Sequence, residues 1–125
     1  MISATFSCTP SRFTNRMILG RPDHAINSCK DRHSLSGQLE VLCHGTAPNA
    51  AGETFAYVYP DDADADAIRL NASMLAGIIR SNRAFQGQTI CLLICWAGYG
   101  KRSLAQQLAD LLQVGVAAPT SEIDS

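Results

Sequence analysis

Thr89-Ile90-Cys91-Leu92-Leu93-Ile94 is continuously apolar and opens onto Cys95-Trp96-Ala97-Gly98-Tyr99-Gly100. A short unbroken apolar run fits a central parallel strand covered on both faces. Ser103 to Leu112 follows, with Leu104, Leu108, Leu111 and Leu112 on one helical stripe. Ser103 and Gln106 form a capping-box pair at its start. Val114-Gly115-Val116-Ala117 comes next, closed by Pro119. Strand, helix, strand in this order predicts a right-handed βαβ crossover. The fold class expected is therefore α/β, a small, mostly parallel sheet flanked by helices.

The same logic extends toward the N-terminus. Leu39-Glu40-Val41-Leu42-Cys43 is a second strand, running straight into His44-Gly45. Arg16-Met17-Ile18-Leu19 is a third, closed by Gly20 and Pro22. Phe55 to Tyr59 is rich in strand formers, and Pro60 ends it. Asn71 to Asn82 reads as a helix capped by Asn71, with Met74, Leu75, Ile78 and Ile79 on one face. Asp23 to Gly37 is a polar connection with room for one short helix. The acidic stretch Asp61 to Asp66 reads as a solvated loop. Residues 1–15 form a polar, flexible lead-in, and residues 16–125 a single domain. The chain stops soon after its last strand, which reads as the edge of a domain excised from a larger protein.

Composition narrows the function classes. Hydrophobic residues make up 46% and charged residues 17% of 125 residues, with a net charge of -1. Such a chain is globular, and it has no basic field for nucleic acid or an anionic membrane. The longest apolar run is far too short to span a bilayer. No basic n-region leads into an apolar segment, so no signal peptide is read. Five cysteines at irregular spacing do not form a disulfide framework, which favours a reducing cytosol. Cys91 and Cys95 would stand roughly 13 Å apart on a strand, too far to share a zinc ion. Cys29 and His33 are spaced for a helix but lack a second ligand pair. No metal or cofactor site is read. Gly98-Tyr-Gly100-Lys101-Arg102-Ser103 departs from a phosphate-binding loop, since Cys95 stands where the first glycine belongs and Arg102 follows Lys101.

Two strands share one design. Each ends in a reactive side chain followed by small residues: His44-Gly45 and Cys95-Trp96-Ala97-Gly98. In open α/β sheets, functional groups gather at the carboxyl ends of parallel strands. A thiolate is a nucleophile, and a histidine beside it accepts its proton. Gly45 leaves its N–H open to an oxyanion, and the Cys95 amide is the natural second donor. Gly98 and Gly100 permit the sharp turn into the helix. Trp96 is either a pocket-lining or a rim aromatic. Asp110, Glu40 and the Asp61–Asp66 group are carboxylates that could orient the histidine. The other four cysteines read as inert, and Cys43 is expected on the opposite strand face from His44. His24 and His33 read as surface residues.

The blocks Leu-Cys-His44-Gly45 and Leu-Ile-Cys95-Trp-Ala-Gly98 resemble the His-Gly and Cys blocks of the caspase-like cysteine peptidases. The interval between His44 and Cys95 is about 50 residues, the separation found in caspases. The stretch from Ser103 to Pro119 is similar to the C-terminal part of caspase-like domains in bacterial toxins, RTX-type and polymorphic. The resemblance covers roughly Leu39 to Pro119 and implies a cysteine peptidase, a toxin effector or processing domain; the inositol-phosphate cofactor of RTX-type domains is not carried over, because the sequence offers no basic cleft for it. Cys95 would be its nucleophile, His44 its base and Gly45 its oxyanion support. A protein or peptide would be the substrate, and an immunity protein a partner. Ile94 and Trp96 flank Cys95 in place of the caspase signature. The same pair would also serve deamidation or other acyl transfer, and a caspase-like scaffold without activity would be a binding module.

Overall fold

The computed structural model describes residues 6, 8–9, 13–31 and 37–123. Its chain order is β1 (Cys8–Thr9), β2 (Arg16–Leu19), α1 (His24–Cys29), β3 (Leu39–Leu42), β4 (His44–Gly45), β5 (Ala56–Val58), β6 (Ile68–Leu70), α2 (Ala72–Arg80), β7 (Ile90–Leu93), α3 (Leu104–Leu112) and β8 (Val116–Ala117). The main sheet has the order β1-β2-β3-β7-β8. β2, β3, β7 and β8 pair in parallel, and β1 joins antiparallel. The protein is thus α/β with a mostly parallel sheet, as the apolar strand and its following helix predict. Cys8–Thr9, expected in the lead-in, forms the antiparallel edge. Residues 1–5, 7 and 10–12 of that lead-in, His33 and residues 124–125 lie outside the described set.

Strand alternation sorts the core. Met17, Leu19, Leu39, Val41, Ile90 and Leu92 join one apolar cluster with Leu75 and Ile79 of α2 and Leu104 and Leu108 of α3. Ile18 and Leu42 form a smaller cluster with Ile26 of α1, against which Leu93 packs. Among the described residues, α2 and α3 cover one face and the six-residue α1 the other. Burial of β7 reflects this imbalance: Ile90 and Leu92 are buried, Cys91 and Leu93 only partly. The expected full cover on both faces is therefore half met. On the thinner face the register aligns Arg16, Glu40 and Cys91. Arg16 and Glu40 are both buried. They form an ion pair at 2.8 Å, reinforced by Arg16 Nε donating to Glu40 at 3.0 Å. Arg16 also donates to the Lys30 carbonyl at 2.9 Å, satisfying the C-terminus of α1.

Helix ends follow the expected chemistry. The Asn71 side chain accepts from Met74 N–H at 2.9 Å, and Ser103 accepts from Gln106 N–H at 3.0 Å. The reciprocal half of the capping box is absent, because the Gln106 amide donates to Asp110 instead. Two features depart from the sequence expectation at His44 and beyond it. The strand of Leu39–Leu42 breaks at Cys43, and His44–Gly45 leaves for a separate three-stranded antiparallel sheet with β5 and β6. β6 is only Ile-Arg-Leu, too short to carry a period of its own. Among the described residues, no helix is long and apolar enough to cross a membrane.

Candidate functional site

The break at Cys43 turns His44 out of the main sheet and into a cluster of aromatic rings. Tyr57 is its cross-strand partner. The two rings stack with centroids 5.0 Å apart, and Tyr59 meets His44 edge-on at 5.4 Å. Asp23 Oδ2 approaches His44 Nε2 at 2.8 Å. The approach lies off the ring N–H direction, so this is a close contact rather than an aligned hydrogen bond. The other oxygen of Asp23 accepts from Ile26 N–H at 3.0 Å and caps α1. One carboxylate therefore fixes a helix start and addresses the histidine. Burial raises the Tyr57 pKa, with Tyr59, Asp23 and Cys95 adding to it.

Cys95 follows the end of β7, next to this cluster. Gly45 sits so close to it that an added Cβ would strike the Cys95 carbonyl and lie 2.9 Å from Ile94 Cγ2. The chain then folds through tight turns. Ala97 N–H donates to the Ile94 carbonyl at 3.2 Å, and Tyr99 N–H to the Trp96 carbonyl at 3.0 Å. Trp96 has φ +65°, a left-handed conformation that costs a bulky residue roughly 1–2 kcal/mol. Its ring packs edge-on against Tyr99 at 5.6 Å, and its indole N–H is buried without a partner among the described residues. Gly98 is pressed against the chain's C-terminal segment, since a Cβ there would lie 2.6 Å from the Ala118 carbonyl oxygen.

His44, Gly45 and Cys95 line one cavity of about 350 Å³. Ala25 and Ile26 of α1, Leu42, Leu93 and the Arg16–Glu40 pair complete most of its wall. The cavity lies on the sheet face that α1 covers. Cys43 borders it too, but its buried side chain packs with Leu39, Val41 and the α2–α3 core, on the face that strand alternation gives it. The Cys43 thiol is a poor nucleophile: burial and the neighbouring Cys95 push its pKa up to about 12. Burial raises Cys91 as well. Trp96 and Gly98 lie outside this wall, with Trp96 at the turn and Gly98 beneath the C-terminal segment.

Among the carboxylates weighed from sequence, Glu40 is committed to Arg16, Asp110 to Gln106, and Asp61, Asp62, Asp64 and Asp66 are exposed on their loop. Asp23 is the one that reaches His44. Its sequence signal was Pro22-Asp23 before a short helix, the mark of an N-cap. A further surprise is the segment 119–123. Trp96 N–H donates to the Ser121 carbonyl at 3.0 Å, Gly98 N–H to the Pro119 carbonyl at 2.8 Å, and Ile123 N–H to Cys95 Sγ at 3.2 Å. No group of three or more His, Cys, Asp or Glu side chains among the described residues is arranged to hold a metal ion.

Residues 15–123 match the family model described as Domain of unknown function (DUF8616), and the chain belongs to that family. No curated protein and no solved structure matches it.

Proposed function

We propose that this DUF8616 member is a cysteine hydrolase of caspase-like type, acting on peptide bonds. The observation that carries the reading is the contact of Gly45 with the Cys95 carbonyl. It joins the two strand ends and brings His44 and Cys95 to one cavity. β3 and β7, the strands that lead to them, are parallel neighbours. The same relation supports the resemblance drawn from the His-Gly and Cys blocks.

In this reading His44 removes the Cys95 proton and the thiolate attacks the scissile carbonyl. A tetrahedral oxyanion forms and collapses to a thioester. His44 gives that proton to the leaving amine; it then takes one from water, whose oxygen attacks the thioester, and returns it to the departing Cys95 sulfur as the acid is released. Asp23 addresses Nε2, which leaves Nδ1 for the proton exchange. Tyr57, stacked on the ring, keeps its plane fixed. The Arg16–Glu40 pair cancels its own charge, so the cavity favours an apolar side chain over a charged one.

The test is labelling with an acyloxymethyl-ketone peptide library, read by intact mass, with Cys95→Ala and His44→Ala beside wild type. The reading expects one adduct, on Cys95, lost in both variants. Equal peptide turnover by wild type and Cys95→Ala would remove the catalytic assignment. A product heavier by one dalton with an uncut backbone would turn the same pair toward deamidation.

A further inference from the structure

Hydrogen bonds hold segment 119–123 in place. Trp96 N–H donates to the Ser121 carbonyl and Gly98 N–H to the Pro119 carbonyl, so the segment runs back across the turn that follows β7. Two backbone N–H groups of that turn thus hold a chain segment by its carbonyls. Gly98 is needed for it, because any side chain there would meet the Ala118 and Pro119 carbonyls. The segment continues to Ile123, which lines the cavity of His44 and Cys95 and donates its N–H to the Cys95 sulfur.

From these contacts we infer that the turn Trp96–Gly98, beside the cavity, is the peptide-binding site of the protein, and that Pro119–Ile123 occupies it as a tethered blocking peptide. The inference rests on the hydrolase reading and names its substrate class: a peptide, held by its backbone carbonyls, with an aliphatic residue at the cavity. Ile26, Leu42 and Leu93 offer that residue an apolar wall. The tether is bound without being cut because an N–H, rather than a carbonyl carbon, faces the sulfur. An N–H there also keeps electrophiles from the sulfur. Activity then requires the segment to leave the site, and a substrate takes its place by making the same backbone bonds.

Iodoacetamide alkylation of Cys95, followed by peptide mapping of the full chain, tests this directly. Ile123→Pro removes the N–H that reaches the sulfur. Its Cys95 is expected to alkylate about three- to tenfold faster than wild type, the factor that one hydrogen bond represents. The acetylated peptide Pro-Thr-Ser-Glu-Ile-amide, added in trans to that variant, is expected to restore protection where a scrambled peptide does not. Equal alkylation rates in a variant with wild-type circular dichroism, or no protection by the peptide, would overturn the inference. Hydrogen exchange in the unaltered protein supplies a measurement free of any folding defect. The Trp96 and Gly98 amides should be protected, and exchange at unprotected rates refutes the seated segment. Alkylation reports on the site whether or not the chain cuts a bond. Segment-dependent alkylation without Cys95-dependent turnover would remove the hydrolase reading alone; turnover with alkylation indifferent to the segment would remove this one alone.

Discussion

Replacing Gly45 by alanine separates close packing at the site from ordinary glycine flexibility. Gly45 is not among the residues with positive φ, so alanine is free to adopt its backbone conformation. By itself that change would stabilise the fold by about 0.4–1 kcal/mol through a less mobile unfolded chain. The new Cβ, however, meets the Cys95 carbonyl, with its carbon at 3.0 Å and Ile94 Cγ2 at 2.9 Å. A backbone carbonyl cannot rotate aside as a side chain can. β4 must retreat, at the overpacking cost of about 1–3 kcal/mol. The net expectation is a loss of about 1–2 kcal/mol, or roughly 3–8 °C in melting temperature for a chain of this size. Gly77 provides the opposite sign. It lies inside α2 with open space where a Cβ would go. Gly77→Ala should stabilise by about 0.5–1 kcal/mol through helix propensity. Calorimetric melting of both variants gives the comparison. Gly45→Ala is also expected to slow labelling of Cys95, since His44 moves with β4, while Gly77→Ala leaves labelling unchanged. A Gly45→Ala melting temperature at or above wild type would refute the claim that β4 abuts the end of β7.

Two more predictions follow from the same geometry. The Cys43 thiol shifts from its ordinary 9.0 to about 12 on folding, so the folded state holds its proton where the unfolded state has released it. The associated stability is fully present below pH 9 and falls as pH rises toward 12, by up to about 1.4 kcal/mol per pH unit. Urea unfolding of wild type and Cys43→Val between pH 8 and 10 should show the extra slope in wild type only; parallel curves would contradict the burial of this thiol. Asp23→Asn keeps an N-cap for Ile26 but removes the charge at His44, so melting should change little while Cys95-dependent turnover falls about 100-fold or more, toward the scale known for carboxylates that orient a catalytic histidine. Asp23→Ala should lose the same activity and also about 1 kcal/mol of stability with its cap; full activity in Asp23→Asn would remove Asp23 from the site.

What the sequence alone determined is local. The apolar run of β7, the stripe and Ser103 cap of α3, and the Asn71 cap of α2 are set by residues a few positions apart. Periodicity and capping act over that range, so they are legible without a fold. The pairing of His44-Gly45 with Cys95 was legible as two similar strand ends, though not as a contact. Glu40 within an apolar strand was a visible anomaly whose partner was not. The tertiary structure alone decided that Asp23 faces His44, that Arg16 neutralises Glu40, that the chain changes sheets at Cys43, and that residues 119–123 lie along Trp96–Gly98. Each of these joins residues that are far apart in the chain and are brought together by strand register and by which face a helix covers. Such contacts depend on how the elements stack, and no short pattern encodes that. The cavity beside Cys95 has the same origin: α1 is six residues long and covers only part of its sheet face.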